Sequence, residues 1–245
     1  MSVITISKNY FQRRIKMEIR TMDDFYHFLK TQAEASTTKK MYRGVRNSTF
    51  ELIPSIGRLK TIDGKNLTIG EEIAIFDNFR NRAYPFTREH NYDELDLLSI
   101  AQHHGLPTRL LDWTKNPMVA MYFAVEEPFM DDGVTHTEFS CIYIHTAATG
   151  VKLCETFNPF KIRGIKRYVP KYLDNRIIAQ NGLFTVHNDP HAAWVPPEVK
   201  TVLIHKDIRR DIKRALNRLG VNAASIYPDI DGLAKHITWS LSGLY

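Results

Sequence analysis

The stretch LLSIAQHHGLPTRLLDWTKNPMVAMYFAV, residues 97–125, has the clearest structural pattern in the chain. Its first part predicts a helix. Asp93 is suited to cap that helix, which runs to about His104. Gly105 follows at a position where a helix end favours positive φ, and Pro107 prevents the helix from restarting.

The second part predicts a buried strand followed by a buried helix. The segment 108–113 is short, apolar and rich in bulky side chains, as in a strand covered on both faces. Asn116 and Pro117 fit the cap and the first turn of a helix. Residues 118–125 are apolar nearly all round, which is typical of a helix that packs inside a domain.

Several polar side chains interrupt this apolar stretch. Burying a polar group costs free energy unless it is paired, so these residues either pair with one another or with the backbone, or they line a site. A buried strand leading into a buried helix is a common place for a ligand. The residues are Gln102, His103, His104, Thr108, Arg109, Asp112 and Thr114.

Composition predicts a globular protein that favours anionic ligands. The chain has 245 residues, of which 43% are hydrophobic, enough for a core of one large or two small domains. The formal net charge is +6 and the sequence pI about 9.2. This charge is lower than that of a dedicated DNA-binding arm.

The histidines and cysteines predict no metal site. Ten histidines are spread along the chain without an HExxH spacing, and neither Cys141 nor Cys154 belongs to a CxxC. We expect reduced thiols. Because no signal peptide or transmembrane segment is visible, we expect a cytoplasmic protein without membrane contact.

The remaining pattern predicts an α+β fold: a single compact domain with a mixed central sheet flanked by helices. Residues 1–40 are interpreted as a helical extension packed on a domain of residues 41–245. The further elements expected are a helix after the Thr21 capping box, strands at 41–44, 139–145, 199–205 and 223–227, an extended piece at 50–56, a hairpin at 175–187, and helices at 71–83, at 207–219 and from about 231.

Five motifs resemble the FRG domain family, which is named for an aromatic-Arg-Gly motif and occurs in bacteria and phages. The resemblance extends from Met41 over nearly all of the chain. The motifs are Tyr42-Arg43-Gly44; Leu52-x-Pro54-Ser55-x-x-Arg58; Ala101-Gln102-His103-x-Gly105-Leu106-Pro107-Thr108-Arg109-Leu110-Leu111-Asp112-Trp113; Asn175-Arg176-x-x-x-Gln180-x-Gly182-x-Phe184-Thr185; and Tyr227-Pro228-Asp229-x-Asp231-Gly232-Leu233.

A second resemblance is to mono-ADP-ribosyltransferases of the Arg-Ser-Glu type. Arg43 matches their first-strand arginine, and Thr114 matches their central Ser-Thr-Ser motif, which is likewise followed by a helix. Gln180 stands where those enzymes carry a glutamate. A glutamine binds a ribose hydroxyl but cannot act as a general base or stabilise a cationic transition state.

This resemblance implies NAD as a co-substrate and a set of site residues. The catalytic candidates are Arg43, Thr114 and Gln180, which we expect to converge on one electropositive cleft. The guanidinium of Arg43 is suited to an NAD phosphate or ribose. The cofactor-binding candidates are Tyr42, Arg43, Gly44, Arg58, His103, Thr108 and Arg109.

Three functional hypotheses follow. The first is an ADP-ribosyltransferase-like enzyme, acting as a toxin or phage-defence effector on a protein or nucleic-acid acceptor. The second is a module on the same fold that binds a nucleotide or nucleic acid without turnover. The third is a hydrolase or nuclease that uses His103 or His104 with Asp112. This third hypothesis has little support, because the sequence offers no carboxylate cluster for a metal.

Overall fold

Seven strands form one mixed sheet in the computed structural model, which describes residues 15–34, 40–87, 92–126, 137–146, 158–171 and 175–241. The strands are β1 (Ile15–Ile19), β2 (Lys40–Val45), β3 (Leu110–Thr114), β4 (Phe139–Thr146), β5 (Lys166–Tyr168), β6 (Gly182–Val186) and β7 (Val199–His205). Their order in the sheet is β1-β7-β4-β2-β3-β6-β5.

Eight α-helices accompany the sheet in the described residues. They are α1 (Met22–Ala33), α2 (Ile69–Thr87), α3 (Glu94–His103), α4 (Pro117–Val125), α5 (Asn175–Ala179), α6 (Arg209–Arg218), α7 (Ala223–Ile226) and α8 (Ile230–Leu241). Short 3-10 turns occur at Ile56–Arg58, Pro159–Lys161 and Lys206–Ile208. The architecture is therefore α+β, as the sequence predicts.

The pairing of the strands is uneven across the sheet. Strand β1 is parallel to β7, and all other neighbours are antiparallel. Strand β2 pairs with β4 along its whole length. Its other neighbour, β3, meets it at one register pair, Tyr42 opposite Thr114. The sheet is thus nearly divided between β2 and β3.

Two separate apolar clusters cover one face of the sheet. Tyr42 of β2 belongs to the first cluster, together with buried residues of α1, α4 and α6. Leu110 of β3 belongs to the second cluster, together with buried residues of α2 and α3. Since side chains directly opposite each other lie on the same face, both clusters share the face of Tyr42 and Thr114.

The opposite face carries a third cluster. It contains Leu111 and Trp113 of β3 and is covered by chain outside the strands, including Leu52 and Trp194. Successive strand residues alternate between the faces, which explains why Leu110 and Leu111 belong to different clusters.

The predicted helix ends around β3 are confirmed. Asp93 caps α3 in a capping box with Asp96, and Gly105 has a φ of 88° just beyond the helix end. Asn116 caps α4 through a bond from the Met118 amide, and Pro117 is its first residue. The Thr21 capping box and the strand Val199–His205 are also present as predicted.

The hairpin predicted at 175–187 is wrong in its first half. Residues Asn175–Ala179 form α5, and only Gly182–Val186 is a strand. The turn signal itself is correct, since Asn181 has a φ of 49°. A short apolar run such as residues 177–179 fits a helical turn as well as a strand. Gln180 consequently follows a helix and does not lie on a strand.

The predictions of two further extended segments are also wrong. The segment 223–227 begins with helix α7, because Asn222 forms a capping box with Ser225. The segment 50–56 has no strand, and its end forms the 3-10 turn Ile56–Arg58. Leu219, the last residue of the helix predicted at 207–219, lies just beyond α6 and is exposed. The sequence also predicts a polar turn at 130–137, which lies outside the described residues except for Thr137.

The segment before residue 40 contributes more than a helix. Besides α1, it supplies edge strand β1, which pairs with β7. Among the described residues, no helix combines the length and the apolar character needed to cross a membrane.

Gly44 allows helix α4 to pack on β2. A Cβ atom built at Gly44 would lie 1.8 Å from the backbone oxygen of Ala120 in α4. We therefore expect Gly44→Ala to lower the free energy of unfolding by about 3 kcal/mol or more, through forced backbone displacement. Urea denaturation measures this change.

Gly70→Ala is the matched control. The nearest atom to a Cβ at Gly70, Thr68 Oγ1, lies 4.0 Å away, and the residue is inside α2. Alanine there should raise the stability by about 0.5–1 kcal/mol. Equal stability of the wild type and the Gly44→Ala protein would contradict the packing argument.

Candidate functional site

A cleft of about 330 Å³ lies where β2 and β3 separate, between the two apolar clusters. The single pairing of Tyr42 with Thr114 leaves the rest of the two strands apart at this place. The polar residues in the cleft wall come from β2, β3, α3, α5 and the segments after α5 and α7. They are Tyr42, Arg43, Ser99, Gln102, His103, Asp112, Thr114, Arg176, Gln180 and Tyr227.

The three residues of the proposed Arg-Thr-Gln set converge on this cleft. Arg43, Thr114 and Gln180 all line it, although they are far apart in sequence. The placement agrees with the sequence-based expectation of a shared cleft.

Arg43 spans the gap between the strands. Its Nη1 donates to the Asp112 backbone oxygen at 2.8 Å and lies 3.4 Å from Asp112 Oδ2. Its side chain is 20% exposed, so part of it remains accessible from the cleft. Burial lowers the pKa of the Arg43 guanidinium, and the neighbouring Asp112 carboxylate opposes this effect. Arginine stays charged at neutral pH in either case.

Asp112 is held from two sides. Besides Arg43, the Gln102 side chain of α3 contacts it, with Nε2 donating to Asp112 Oδ1 at 2.6 Å. Gln102 is in turn fixed by Thr108, whose hydroxyl donates to the Gln102 side-chain oxygen. The result is a chain of hydrogen bonds from Thr108 to a carboxylate in the cleft.

Thr114 and Gln180 are joined through the backbone of the turn before β6. Thr114 Oγ1 donates to the Gln180 backbone oxygen at 2.6 Å and accepts from the Asn116 amide at 3.0 Å. The Gln180 side chain points away from Thr114, and its Nε2 donates to the Ile226 backbone oxygen at 3.2 Å. Both residues therefore hold the cleft wall together.

The neighbours of Arg43 in its motif serve the packing of β2. Tyr42 is buried in the first apolar cluster, and its hydroxyl donates to Gln32 of α1 at 3.2 Å. Gly44 borders the cleft, but its missing Cβ is required by α4, as described above. Of the three motif residues, Arg43 carries the polar group directed into the cleft.

The other predicted binding residues divide between several places. His103 lines the cleft, whereas His104 lines a separate groove between α2 and α3. Arg58 borders an adjoining cavity of about 190 Å³ that it shares with Arg43 and Asp112. Thr108 is buried and acts through Gln102.

Arg109 lies outside the cleft, contrary to its predicted contact with a cofactor. It is 1% exposed, and its Nε donates to Glu72 Oε1 of α2 at 2.8 Å. Nη1 also donates to the backbone oxygens of Pro159 and His187. With its guanidinium fully engaged in a buried ion pair, Arg109 joins α2 to β3. Of the pairings expected for the polar residues of this stretch, Arg109 forms the one with the backbone and takes Glu72, not Asp112, as its side-chain partner.

The cleft contains positive charge that is largely balanced. Arg43 faces Asp112, and Arg176 pairs with Asp229, with Nε donating to Asp229 Oδ2 at 2.9 Å. The side chain of Arg176 also lies over the Tyr227 ring, 5.3 Å from its centroid. The cleft is thus polar with alternating charges rather than uniformly electropositive. The described residues hold no group of three or more His, Cys, Asp or Glu side chains suited to a metal ion.

Three polar residues of the cleft wall were not among the predicted site residues: Ser99, Arg176 and Tyr227. Gln102 was expected only to pair or to line a site, and Asp112 was in addition the partner of a histidine in the hydrolase hypothesis. The motifs were the available signal for Gln102, Asp112, Arg176 and Tyr227, which all occur in stretches that resemble the FRG family, whereas Ser99 lies outside these motifs.

Comparison with known families identifies the central part of the chain. Residues 38–133 match the model of the FRG domain. The chain carries an FRG domain. No curated protein and no solved structure matches it. The matched residues include Arg43, Asp112 and Thr114 of the cleft, whereas Gln180 lies beyond them.

A buried histidine, His187, directly follows β6 and lies beyond the residues that match the FRG domain. His187 is fully buried, and its Nε2 lies 2.9 Å from Thr185 Oγ1, which accepts from Trp113 Nε1. Burial lowers the His187 pKa from its ordinary 6.5 to about 4, and the charges of Arg43 and Arg109 contribute. His187 is therefore neutral in the folded protein at neutral pH.

This depressed pKa predicts a loss of stability in acid. Between about pH 6.5 and 4 the unfolded chain binds a proton at His187 that the folded chain does not, so its stability contribution, complete above pH 6.5, falls as the pH decreases. From pH 7.5 to 5.5, the free energy of unfolding should fall by about 1.4 kcal/mol more in wild type than in His187→Gln. Urea denaturation at both pH values gives this difference. Equal losses in the two proteins would contradict the prediction.

Proposed function

We propose that the FRG domain binds NAD or a closely related ADP-ribosyl nucleotide in the cleft between β2 and β3. The observation that carries the proposal is the convergence on one cleft of Arg43, Thr114 and Gln180, the three residues that the resemblance to Arg-Ser-Glu transferases groups together. These residues come from three distant segments.

The donors of Arg43 fit a phosphate or a ribose of such a ligand. A guanidinium has five N–H donors in a planar fork. In the described part of the chain, Arg43 uses Nη1 for Asp112, and the same side chain borders both the cleft and the adjoining cavity. A ligand phosphate in this position would share the guanidinium with Asp112.

The size and the walls of the cleft also support a nucleotide. Its volume of about 330 Å³ falls within the range of small-molecule sites. Aromatic rings of Phe123, Phe184 and Tyr227 line it beside the polar groups. This combination suits a ligand with a planar base and a polar sugar phosphate, because rings stack on bases while side-chain donors and acceptors meet the sugar.

Gln180 favours binding over transfer chemistry. Its amide donor is engaged with the Ile226 backbone oxygen, and a glutamine side chain cannot accept a proton as a general base. We therefore propose ligand binding as the primary activity. A transferase would in addition release nicotinamide and pass the ADP-ribosyl group to a protein or nucleic-acid acceptor.

Arg43→Ala should weaken NAD binding and leave the fold intact. Losing a charge-assisted hydrogen bond to the ligand costs about 1.5–3 kcal/mol, or about tenfold to a hundredfold in Kd. Arg43→Lys should not restore the affinity, because lysine offers a point charge in place of a planar fork. Isothermal titration calorimetry with NAD measures these effects.

Arg214→Ala is the matched control for Arg43→Ala. Arg214 also pairs with an aspartate, Asp211, but on the exposed surface of α6. The Arg214→Ala protein should bind NAD with the same affinity as wild type, and circular dichroism should show the same fold in all variants. Wild-type affinity of Arg43→Ala, or no NAD binding by wild type, would overturn the proposal.

Gln180→Glu separates a binding domain from a transferase. A glutamate places a carboxylate against the Ile226 oxygen, so we expect weaker NAD binding, lower stability and no nicotinamide release. Gln180→Leu, which removes the donor without adding charge, isolates the effect of the lost hydrogen bond. Nicotinamide release from NAD by wild type or by Gln180→Glu would instead identify a transferase-like enzyme.

A further inference from the structure

Asp112 occupies an unusual position for a carboxylate. It is the middle residue of β3, an interior strand of the sheet, and all other residues of β3 are buried. The Asp112 side chain nevertheless is 60% exposed. Its exposure follows from the separation of β2 and β3, which opens the cleft above this strand.

The orientation of Asp112 is fixed before any ligand binds. Gln102 Nε2 donates to Oδ1, and Arg43 Nη1 lies near Oδ2. Thr108 determines which end of the Gln102 amide faces Asp112, because its hydroxyl donates to the amide oxygen. Thr108 Oγ1 is itself held by the Leu110 amide, which donates to it at 3.0 Å. Such supporting contacts are typical of groups that bind a ligand with defined geometry.

The carboxylate retains accepting capacity towards the cleft. An ionised carboxylate offers about four lone-pair directions on its two oxygens. Gln102 and Arg43 approach one oxygen each, and the exposed part of the group borders both the cleft and the adjoining cavity. Because an ionised carboxylate only accepts hydrogen bonds, it favours a ligand group with O–H or N–H donors and repels phosphate. In an NAD-like ligand, the donors directly beside the phosphates are the ribose hydroxyls.

We propose that Asp112 binds the vicinal hydroxyls of a ribose in the ligand. Arg43 and Asp112 then form a complementary pair, in which the guanidinium faces phosphate and the carboxylate faces the adjacent sugar. This proposal rests on the proposed function, since it names the residue that recognises the sugar of an NAD-like ligand. Asp112 is thus a specificity-determining residue, and Gln102 and Thr108 are positioning residues.

The test compares NAD with two analogues, one lacking the 2′-hydroxyl of the nicotinamide riboside and one lacking that of the adenosine. Calorimetry gives the Kd of each for wild type and Asp112→Asn. Wild type should bind at least one analogue about tenfold more weakly than NAD, as expected for a hydrogen bond to a charged group. In Asp112→Asn, the ratio of the analogue Kd to the NAD Kd should fall to about threefold or less, since a neutral acceptor forms weaker hydrogen bonds.

Two further variants test whether the effect is specific to the positioned carboxylate of Asp112. Asp211→Asn removes an arginine-paired carboxylate on exposed α6 and should leave the ratio unchanged. Gln102→Leu removes the amide that fixes Asp112 and should lower the ratio, while retaining the carboxylate itself.

The outcomes distinguish the two proposals. No NAD binding by wild type overturns the proposed function, and the role of Asp112 falls with it. NAD binding without loss for either analogue overturns the role of Asp112 alone. If Asp112→Asn binds NAD more weakly but keeps the wild-type ratio of analogue Kd to NAD Kd, Asp112 only positions Arg43. This result also overturns the proposed role of Asp112 in binding the ribose.

Discussion

Strands β2 and β3 are neighbours in the sheet, yet one register pair, Tyr42 with Thr114, joins them. The remaining features of the molecule depend on this limited contact. Because the strands separate, the helices on one face divide into two groups with their own apolar clusters. The backbone oxygen of Asp112, which a continuous strand ladder would use, becomes available to the Arg43 side chain. The cleft is therefore a consequence of how the sheet is paired.

Two other contacts keep this divided sheet in place. Strand β3 pairs with β6 along its whole length, and the buried pair of Arg109 with Glu72 fastens β3 to α2. On the other side, α4 packs on β2 at Gly44. Each half is thus held by contacts of its own, and the bond from Thr114 Oγ1 to the Gln180 backbone oxygen adds one more within the half that contains β3. A ligand that contacts both Arg43 and Asp112 bridges the two halves.

The sequence predicted the elements that depend on local signals. The helix caps at Asp93 and Asn116 and the positive φ at Gly105 follow from neighbouring residues, so they were found. The segment 175–179 was misassigned because five residues fit two periodicities, and this segment forms a helix. The partner of Arg109 was missed for a related reason, since Glu72 is 37 positions away in sequence.

The site was predicted in part because the motifs mark its position without marking the direction of each side chain. The resemblance grouped Arg43, Thr114 and Gln180, which do share the cleft. It also grouped Arg109 with them, although this residue precedes β3 and its guanidinium is engaged by Glu72 and by backbone oxygens outside the cleft. Asp112 was expected as a paired polar residue or as the partner of a histidine in a hydrolase, and not as an exposed group. Its exposure arises from the separation of β2 and β3, which no local pattern encodes.

The motif Tyr42-Arg43-Gly44 combines two independent requirements in three consecutive letters. Tyr42 and Gly44 point to the face that α4 covers, and Arg43 reaches the gap in the sheet. A related chain that replaces the arginine while keeping its neighbours would retain this architecture and lose the proposed ligand contact. A genome search that scores the whole motif would collect such chains too. The identity of the middle residue, read together with that of the aspartate in β3, is therefore the better guide to whether the charged pair of the cleft is present.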